Sequence, residues 1–290
     1  MDKPIFDAET RQVLQTAEWL TRHRGARDPG TIFGKAMGGQ VEFRDHTPYS
    51  AGDDFRHIDW SLVARLNELH IKRFGGSALI DVHLILDQSG SMQQGEPKKY
   101  RTARRLMAAA AIGLMRNTER LLTSALQSRL TEIVPSLTSP FSSETILNAL
   151  EQLPPPLSRI DVVPLWHRWS ETKRRSMNVV FSDFADPQLE PATLLRHLGR
   201  GSTLALVAIV SKGDLEPLDA DILEIIGAEG EGVLVAQDGQ LVTTNYRRLI
   251  TEHMQQMQSY CAGRGVPFVM IPNEIQFAEQ MRRMFQRGVE

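Results

Sequence analysis

Three short oxygen-bearing residues at alternate positions, Asp87, Ser89 and Ser91, follow an apolar run over residues 79–86 in the order Asp-Gln-Ser-Gly-Ser. Such a run predicts a buried strand. Side chains alternate between the faces of a strand, and the turn after it can bring every second residue toward one point. One carboxylate and two hydroxyls, with no thiolate or imidazole among them, form a hard donor set that suits Mg²⁺ or Mn²⁺ better than zinc. The same residue types are common turn formers after strands, so a loop whose oxygens bond one another stays open at this point. A second compact apolar strand, residues 177–181, runs into Ser182-Asp183 and delivers another acid from its carboxyl end.

The elements that must position these groups follow from hydrophobic periodicity. Helices are expected over residues 7–23, 61–68, 98–120, 143–153, 162–172, 189–198, 245–262 and 274–287. Strands are expected over 69–74, 79–87, 121–126, 130–134, 177–181, 203–210 and 267–271. The segment 232–243, with Asp238-Gly239 near its middle, has the signature of a hairpin. In the helix over 98–120, Arg101, Arg104 and Arg105 share one face, which reads as solvated. Leu165, Trp166 and Trp169 are expected to face the core. Alternation of buried strands with amphipathic helices predicts an α/β fold with a doubly wound, mainly parallel sheet. Ligands collect at the carboxyl ends of strands in such sheets, near the point where strand order reverses, which makes Asp87 and Asp183 candidate neighbours.

Composition narrows the function classes. Lys and Arg number 33 against 35 Asp and Glu, for a formal net charge of −2, so the chain lacks the basic footprint that nucleic-acid or anionic-membrane binding uses. A single cysteine, Cys261, excludes an intramolecular disulfide framework, fits a reducing cytoplasm and reads as a buried structural thiol. The first residues lack the basic-then-apolar pattern of a signal peptide, and the longest apolar run, 106–115, is shorter than the roughly 20 residues of a bilayer span. A cytoplasmic protein without stable membrane insertion is expected. Residues 30–35 resemble a phosphate loop only superficially, because the glycine spacing is short and no strand leads in.

Residues 38–60 are dense in glycine, charge and aromatics without a clean period. Asp53, Asp54 and Asp59 lie close in sequence to Arg56 and Arg65, and an ion-pair and hydrogen-bond lattice is the expected arrangement. His57 is expected to be a hydrogen-bond partner within it, and Trp60 a packing anchor. The string Gly-Asp-Asp-Phe-Arg-His-Ile-Asp-Trp over 52–60, Ala64-Arg65, and the strand leading to Asp87-Gln88-Ser89-Gly90-Ser91-Met92 resemble the domain of unknown function 58 family. The resemblance implies a von Willebrand factor A-like domain over residues 77–290, with residues 1–76 as an N-terminal extension packed on it. It also implies a metal-ion-dependent adhesion site in which Asp87, Ser89 and Ser91 hold Mg²⁺ (or Mn²⁺) and Asp183 is the later aspartate. The sequence departs from the family pattern where a threonine is expected, offering Ser158 and Asp161 as outer ligands, and Thr47 replaces the usual Arg before Pro48-Tyr49. The implied function is a non-enzymatic module that binds a partner's carboxylate through the metal, with a MoxR-type AAA+ ATPase as the protein partner. Two rivals are a metal-dependent hydrolase using Asp87 and Asp183, which lacks a neighbouring His or Glu spaced as general base, and a metal-free scaffold.

Overall fold

A computed structural model describes residues 3–17, 43–49, 58–66, 68–74, 80–114, 118–138, 142–157, 159–171, 176–198, 202–215, 223–226, 233–236 and 239–285. The central element is strand Ile80–Asp87, labelled β3 because Phe43–Pro48 (β1) and His70–Phe74 (β2) precede it. The strands that follow are Thr118–Leu126 (β4), Leu130–Thr138 (β5), Ser176–Ser182 (β6), Thr203–Val210 (β7), Leu223–Ile226 (β8), Val233–Ala236 (β9) and Phe268–Pro272 (β10). Six of them form one sheet in the order β10-β7-β6-β3-β4-β5, parallel throughout except for the antiparallel edge strand β5. This is the doubly wound, mainly parallel sheet that the residue pattern predicts. The pairs β1-β2 and β8-β9 are separate antiparallel ribbons.

The near-continuous apolar strands conceal a two-faced alternation. Val82, Leu84 and Leu86 of β3, Met177, Val179 and Phe181 of β6, and Ala205, Val207 and Ile209 of β7 enter one core. Into that core pack the helices Ala8–Leu14 (α1), Lys99–Leu114 (α3), Ser143–Gln152 (α4) and Phe277–Phe285 (α9). Ile85, Val180, Leu204, Leu206 and Ala208 point the other way, toward Val163–Glu171 (α5), Pro191–His197 (α6) and Gly239–Arg264 (α8). Leu165 and Trp169 of α5 are buried there, while Trp166 is half-buried and stacks on His197 at a 3.8 Å centroid distance. Cys261 lies in the same core, and burial pushes its thiol up to about 12, in keeping with a structural role. The two remaining helices are Trp60–Leu66 (α2) and the single turn Lys212–Leu215 (α7).

Three expectations are corrected. The helix expected to reach Arg120 ends at Leu114, and the chain is in β4 from Thr118. The Thr118 hydroxyl donates to the Leu114 carbonyl at 2.8 Å, and Arg120 is drawn into the ladder opposite Asp81, to whose buried carboxylate it donates at 2.6 Å. The hairpin expected over 232–243 has its first strand, β9, but pairs it upstream with β8, so Leu241, Val242 and Thr243 belong to α8 instead. The arginine face of α3 is not solvated. Arg104, 1% exposed, donates to the carbonyls of Leu150 (3.3 Å), Leu153 (2.8 Å) and Pro154 (2.6 Å), satisfying the carboxyl end of α4 where a cation also suits the helix dipole.

The other two arginines fasten the N-terminal segment. Arg101 donates to the carbonyls of Lys3 and Pro4, and Arg105 to that of Ile5 at 2.7 Å. Asp7 caps α1 by accepting the Thr10 N–H at 2.8 Å, and Ile5 and Phe6 are buried beneath α3 and α4. The boundary expected at residue 76 lies outside the described residues. Among the described residues no helix is long and apolar enough to cross a membrane.

Burial also sets an acid limit on the fold. His83 of β3 is 2% exposed and hydrogen-bonds the Ser124 hydroxyl at 2.9 Å; burial, helped by the Arg168 charge, pushes its pKa from the ordinary 6.5 down to about 3. Above pH 6.5 the imidazole is neutral in both folded and unfolded chains, so its contribution is fully present. As pH falls below 6.5 the unfolded chain takes a proton that the folded chain refuses, and stability is lost until about pH 3. The expected slope for this one proton approaches about 1.4 kcal/mol per pH unit. Urea melts between pH 7.5 and 4.5 should show that slope in the wild type and its loss in His83→Gln; equal slopes would remove His83 as the cause.

Candidate metal centre

The chain leaves β3 for β4 and β5 on one side, then returns to place β6, β7 and β10 on the other. Strand order therefore reverses between β3 and β6, and their carboxyl ends are where such sheets bind ligands. The register sets Leu86 opposite Phe181, which brings Asp87 beside Ser182. The Ser182 hydroxyl donates to Asp87 Oδ2 at 2.5 Å and accepts the Phe184 N–H at 2.8 Å. Asp87 Oδ1 accepts the Ser89 N–H at 2.7 Å, which curls the chain into a 3₁₀ turn over Gly90–Gln93, with the fully buried Met92 as its plug. That turn sets the Ser89 and Ser91 hydroxyl oxygens 3.0 Å apart. The turn thus places Ser89 against Asp87, and Ser91 against Ser89.

Asp183 stands one residue beyond, where the backbone reverses sharply. Phe184 has φ of 55°, a left-handed conformation that costs a non-glycine residue roughly 1–2 kcal/mol, and its ring is buried against Phe268. Asp183 Oδ1 accepts the Ala185 N–H at 3.1 Å, and its Oδ2 is held by the Lys99 ammonium at 2.6 Å. Lys99 Nζ also donates to both oxygens of Asp214, at 3.1 and 3.0 Å. Asp214 is fixed in turn by the Ser211 N–H at 2.8 Å. Lys99 is 2% exposed; burial works against its charge, but Asp183 and Asp214 outweigh that and hold its pKa above the ordinary lysine value. Burial and the Asp183 charge push Asp87 up to about 7, against the hydrogen bonds from Ser182 and Ser89. Burial, followed by the Asp214 charge, raises the Tyr246 hydroxyl, which marks α8 as a neighbour of the site.

Lys99, Asp214 and Ser182 are the residues that sequence reasoning leaves out. Lys99 opens α3 beside Lys98, and a pair of lysines reads as solvated. Its helical face carries a signal, however: Thr102, Ala103 and Leu106, three, four and seven residues on, are all buried. Asp214 follows β7 as Asp183 follows β6, so the rule that buried strands deliver acids at their carboxyl ends applies to it equally.

The remaining candidates serve elsewhere or lie outside the described residues. The Asp161 N–H bonds the Gln127 carbonyl just past β4, and its carboxylate accepts the Val163 N–H at 2.9 Å to open α5. Asp59 is buried and starts α2 by accepting the Leu62 N–H at 3.3 Å. Trp60, expected as a packing anchor, is 67% exposed, and Arg65 is exposed as well. Asp53, Asp54, Arg56, His57 and Ser158 lie outside the described residues.

The Asp87 side of the site fits a small hard cation. An octahedron with arms of about 2.1 Å has adjacent corners about 3.0 Å apart, and that is the spacing of the two serine hydroxyls. A carboxylate and two hydroxyls satisfy the oxygen preference of Mg²⁺ and Mn²⁺. Asp183, expected as a fourth oxygen, has one oxygen on the Lys99 ammonium and the other on the Ala185 N–H.

A family model described as "Protein of unknown function DUF58" matches residues 45–256, well over half of the chain. Uncharacterized proteins of Mycobacterium tuberculosis and Mycobacterium bovis are 23% identical over 228 residues, which cover 77% of this chain and 72% of each relative. Among solved structures, an aerotolerance-related membrane protein from Bacteroides fragilis has a TM-score of 0.42 at 14% identity, covering 72% of this chain and 98% of that one. A von Willebrand factor type A protein from Catenulispora acidiphila has a TM-score of 0.38 at 17% identity over 47% of this chain, which spans 34% of that structure.

The Ser182 hydroxyl is the inner support of this site, and its removal leaves the buried Asp87 Oδ2 and the Phe184 N–H without it. Ser182→Ala should cost about 1–3 kcal/mol of folding stability, read as a lower urea midpoint with an unchanged m-value. A neutral effect would show that Ser182 does not hold Asp87.

Proposed function

The chain belongs to the DUF58 family, and from that premise we propose that it is a non-enzymatic protein-interaction module whose Asp87, Ser89 and Ser91 hold a divalent cation that receives a partner's carboxylate. The single observation that carries this reading is the serine pair at octahedral spacing beside the buried Asp87, at the edge of the sheet where ligands collect. A divalent ion held there supplies a coordination position for an Asp or Glu of the partner. The chain's own part is to present three oxygens from one rigid turn. Ser89 N–H and Ser182 Oγ orient the Asp87 carboxylate, and the buried Met92 anchors the turn that carries Ser91. The ion is Mg²⁺ or Mn²⁺, the partner is a MoxR-type AAA+ ATPase, and the pair works in the cytoplasm on the maturation of protein complexes. The near-neutral charge of the chain supports a protein partner over nucleic acid or an anionic membrane.

Pull-down of the ATPase with the wild-type chain in Mg²⁺ buffer should succeed. It should fall at least tenfold with chelator and equally with Asp87→Ala, a loss of about 1.4 kcal/mol or more. Capture that is unchanged in chelator would overturn the metal bridge, and turnover of a phosphoester or peptide would overturn the non-enzymatic reading.

A further inference from the structure

Three carboxylates converge on this edge of the sheet, and they are divided between two environments. Asp87 faces the serine hydroxyls, while Asp183 and Asp214 share the Lys99 ammonium through three contacts of 2.6 to 3.1 Å. Lys99 is 2% exposed and leaves the first turn of α3, the helix that begins directly after the loop carrying Ser89 and Ser91. Its neighbour Lys98 is exposed. An ammonium is a compact point charge with three donors, and among the described residues its hydrogen bonds go to carboxylate oxygens.

We propose that Lys99 is a built-in counter-cation that reserves Asp183 for itself, confines a divalent ion to Asp87, Ser89 and Ser91, and so keeps the chain's affinity for that ion low. Lys99 is a positioning residue in this scheme, acting through Asp183. Two features support it. The Lys99 ammonium of α3 takes one Asp183 oxygen at 2.6 Å while the Ala185 N–H holds the other. Asp214, in the single turn α7 that follows β7, has its own backbone support from Ser211 and is presented to the same ammonium. The ammonium on Asp183 also offsets the negative charge that would otherwise help draw a cation to the neighbouring Asp87. The inference rests on the metal reading proposed above and adds to it what sets the affinity.

Manganese binding tests it, because bound Mn²⁺ loses the sharp six-line electron paramagnetic signal of the free ion. Full-length wild type, Lys99→Met and Lys99→Gln are titrated with Mn²⁺, with circular dichroism and thermal melts to establish folding. Lys99→Gln keeps a donor for Asp183 without the charge and serves if Lys99→Met does not fold. Lys98→Gln removes an exposed charge next door and controls for general electrostatics. The expected result is an affinity at least tenfold tighter in the Lys99 variants, about 1.4 kcal/mol, less than twofold tighter in Lys98→Gln, and abolished when Asp87→Ala is added. Wild-type binding with no gain in a folded Lys99 variant overturns this inference and leaves the metal bridge standing. Binding that is seen only in the Lys99 variants supports it and removes the bridge from the wild-type chain. No binding in any variant overturns both.

Discussion

The arrangement depends on placing one ammonium where water cannot reach it. Lys99 ties the start of α3 to the ends of β6 and β7 through Asp183 and Asp214, so three separate stretches of chain meet at one charge. Removing one partner from such a buried group costs roughly 3–5 kcal/mol, because the charge left behind has no solvent to turn to. The geometry of the sheet edge follows from that constraint. Asp183 faces Lys99 of α3, and the reversal that follows it puts Phe184 in the left-handed region with its ring buried. The same reversal aims the Phe184 N–H at Ser182 Oγ, which frees that hydroxyl's proton for Asp87.

Most of the fold is legible in the residues because its signals are local. The strand 203–210 and the strand ending at Asp87 are apolar runs whose alternate residues fill two separate cores, and the observed ends lie within a residue of those expected. The misplaced elements are those in which a distant partner decides. Arg120 reads as the tail of a helix until Asp81, on the next strand, supplies the carboxylate that pairs with it. The segment after Asp238 reads as a strand because Leu, Val and Thr favour one, but β9 finds its partner upstream and α8 takes the rest.

The site divides along the same line. Asp87, Ser89 and Ser91 are visible because one turn carries all three, and Asp183 because a buried strand precedes it. The charge balance was not visible. Nothing in the order Lys98-Lys99 shows that one side chain is solvated and the other sealed; only the helical face shared with Thr102, Ala103 and Leu106 separates them. Arg104 misleads for the same reason, since its carbonyl partners at the end of α4 lie about fifty residues away in sequence. Buried cations are chosen by tertiary partners, so a linear reading assigns them to solvent by default.

What the loop would have to change to receive an ion follows from its hydrogen bonds. A carboxylate offers about four lone-pair sites, and Asp87 uses one on each oxygen, so it can coordinate without giving up Ser89 N–H or Ser182 Oγ. The serines are in the same position: their hydroxyls bond each other at 3.0 Å, the donor gives only its proton and the acceptor uses one of its two lone pairs, so each still has a lone pair to offer. The oxygens themselves already stand at the required separation. Each of the three side chains therefore keeps a lone pair for an ion, and in the scheme proposed above it is the Lys99 charge, not the hydrogen bonding of the turn, that limits affinity.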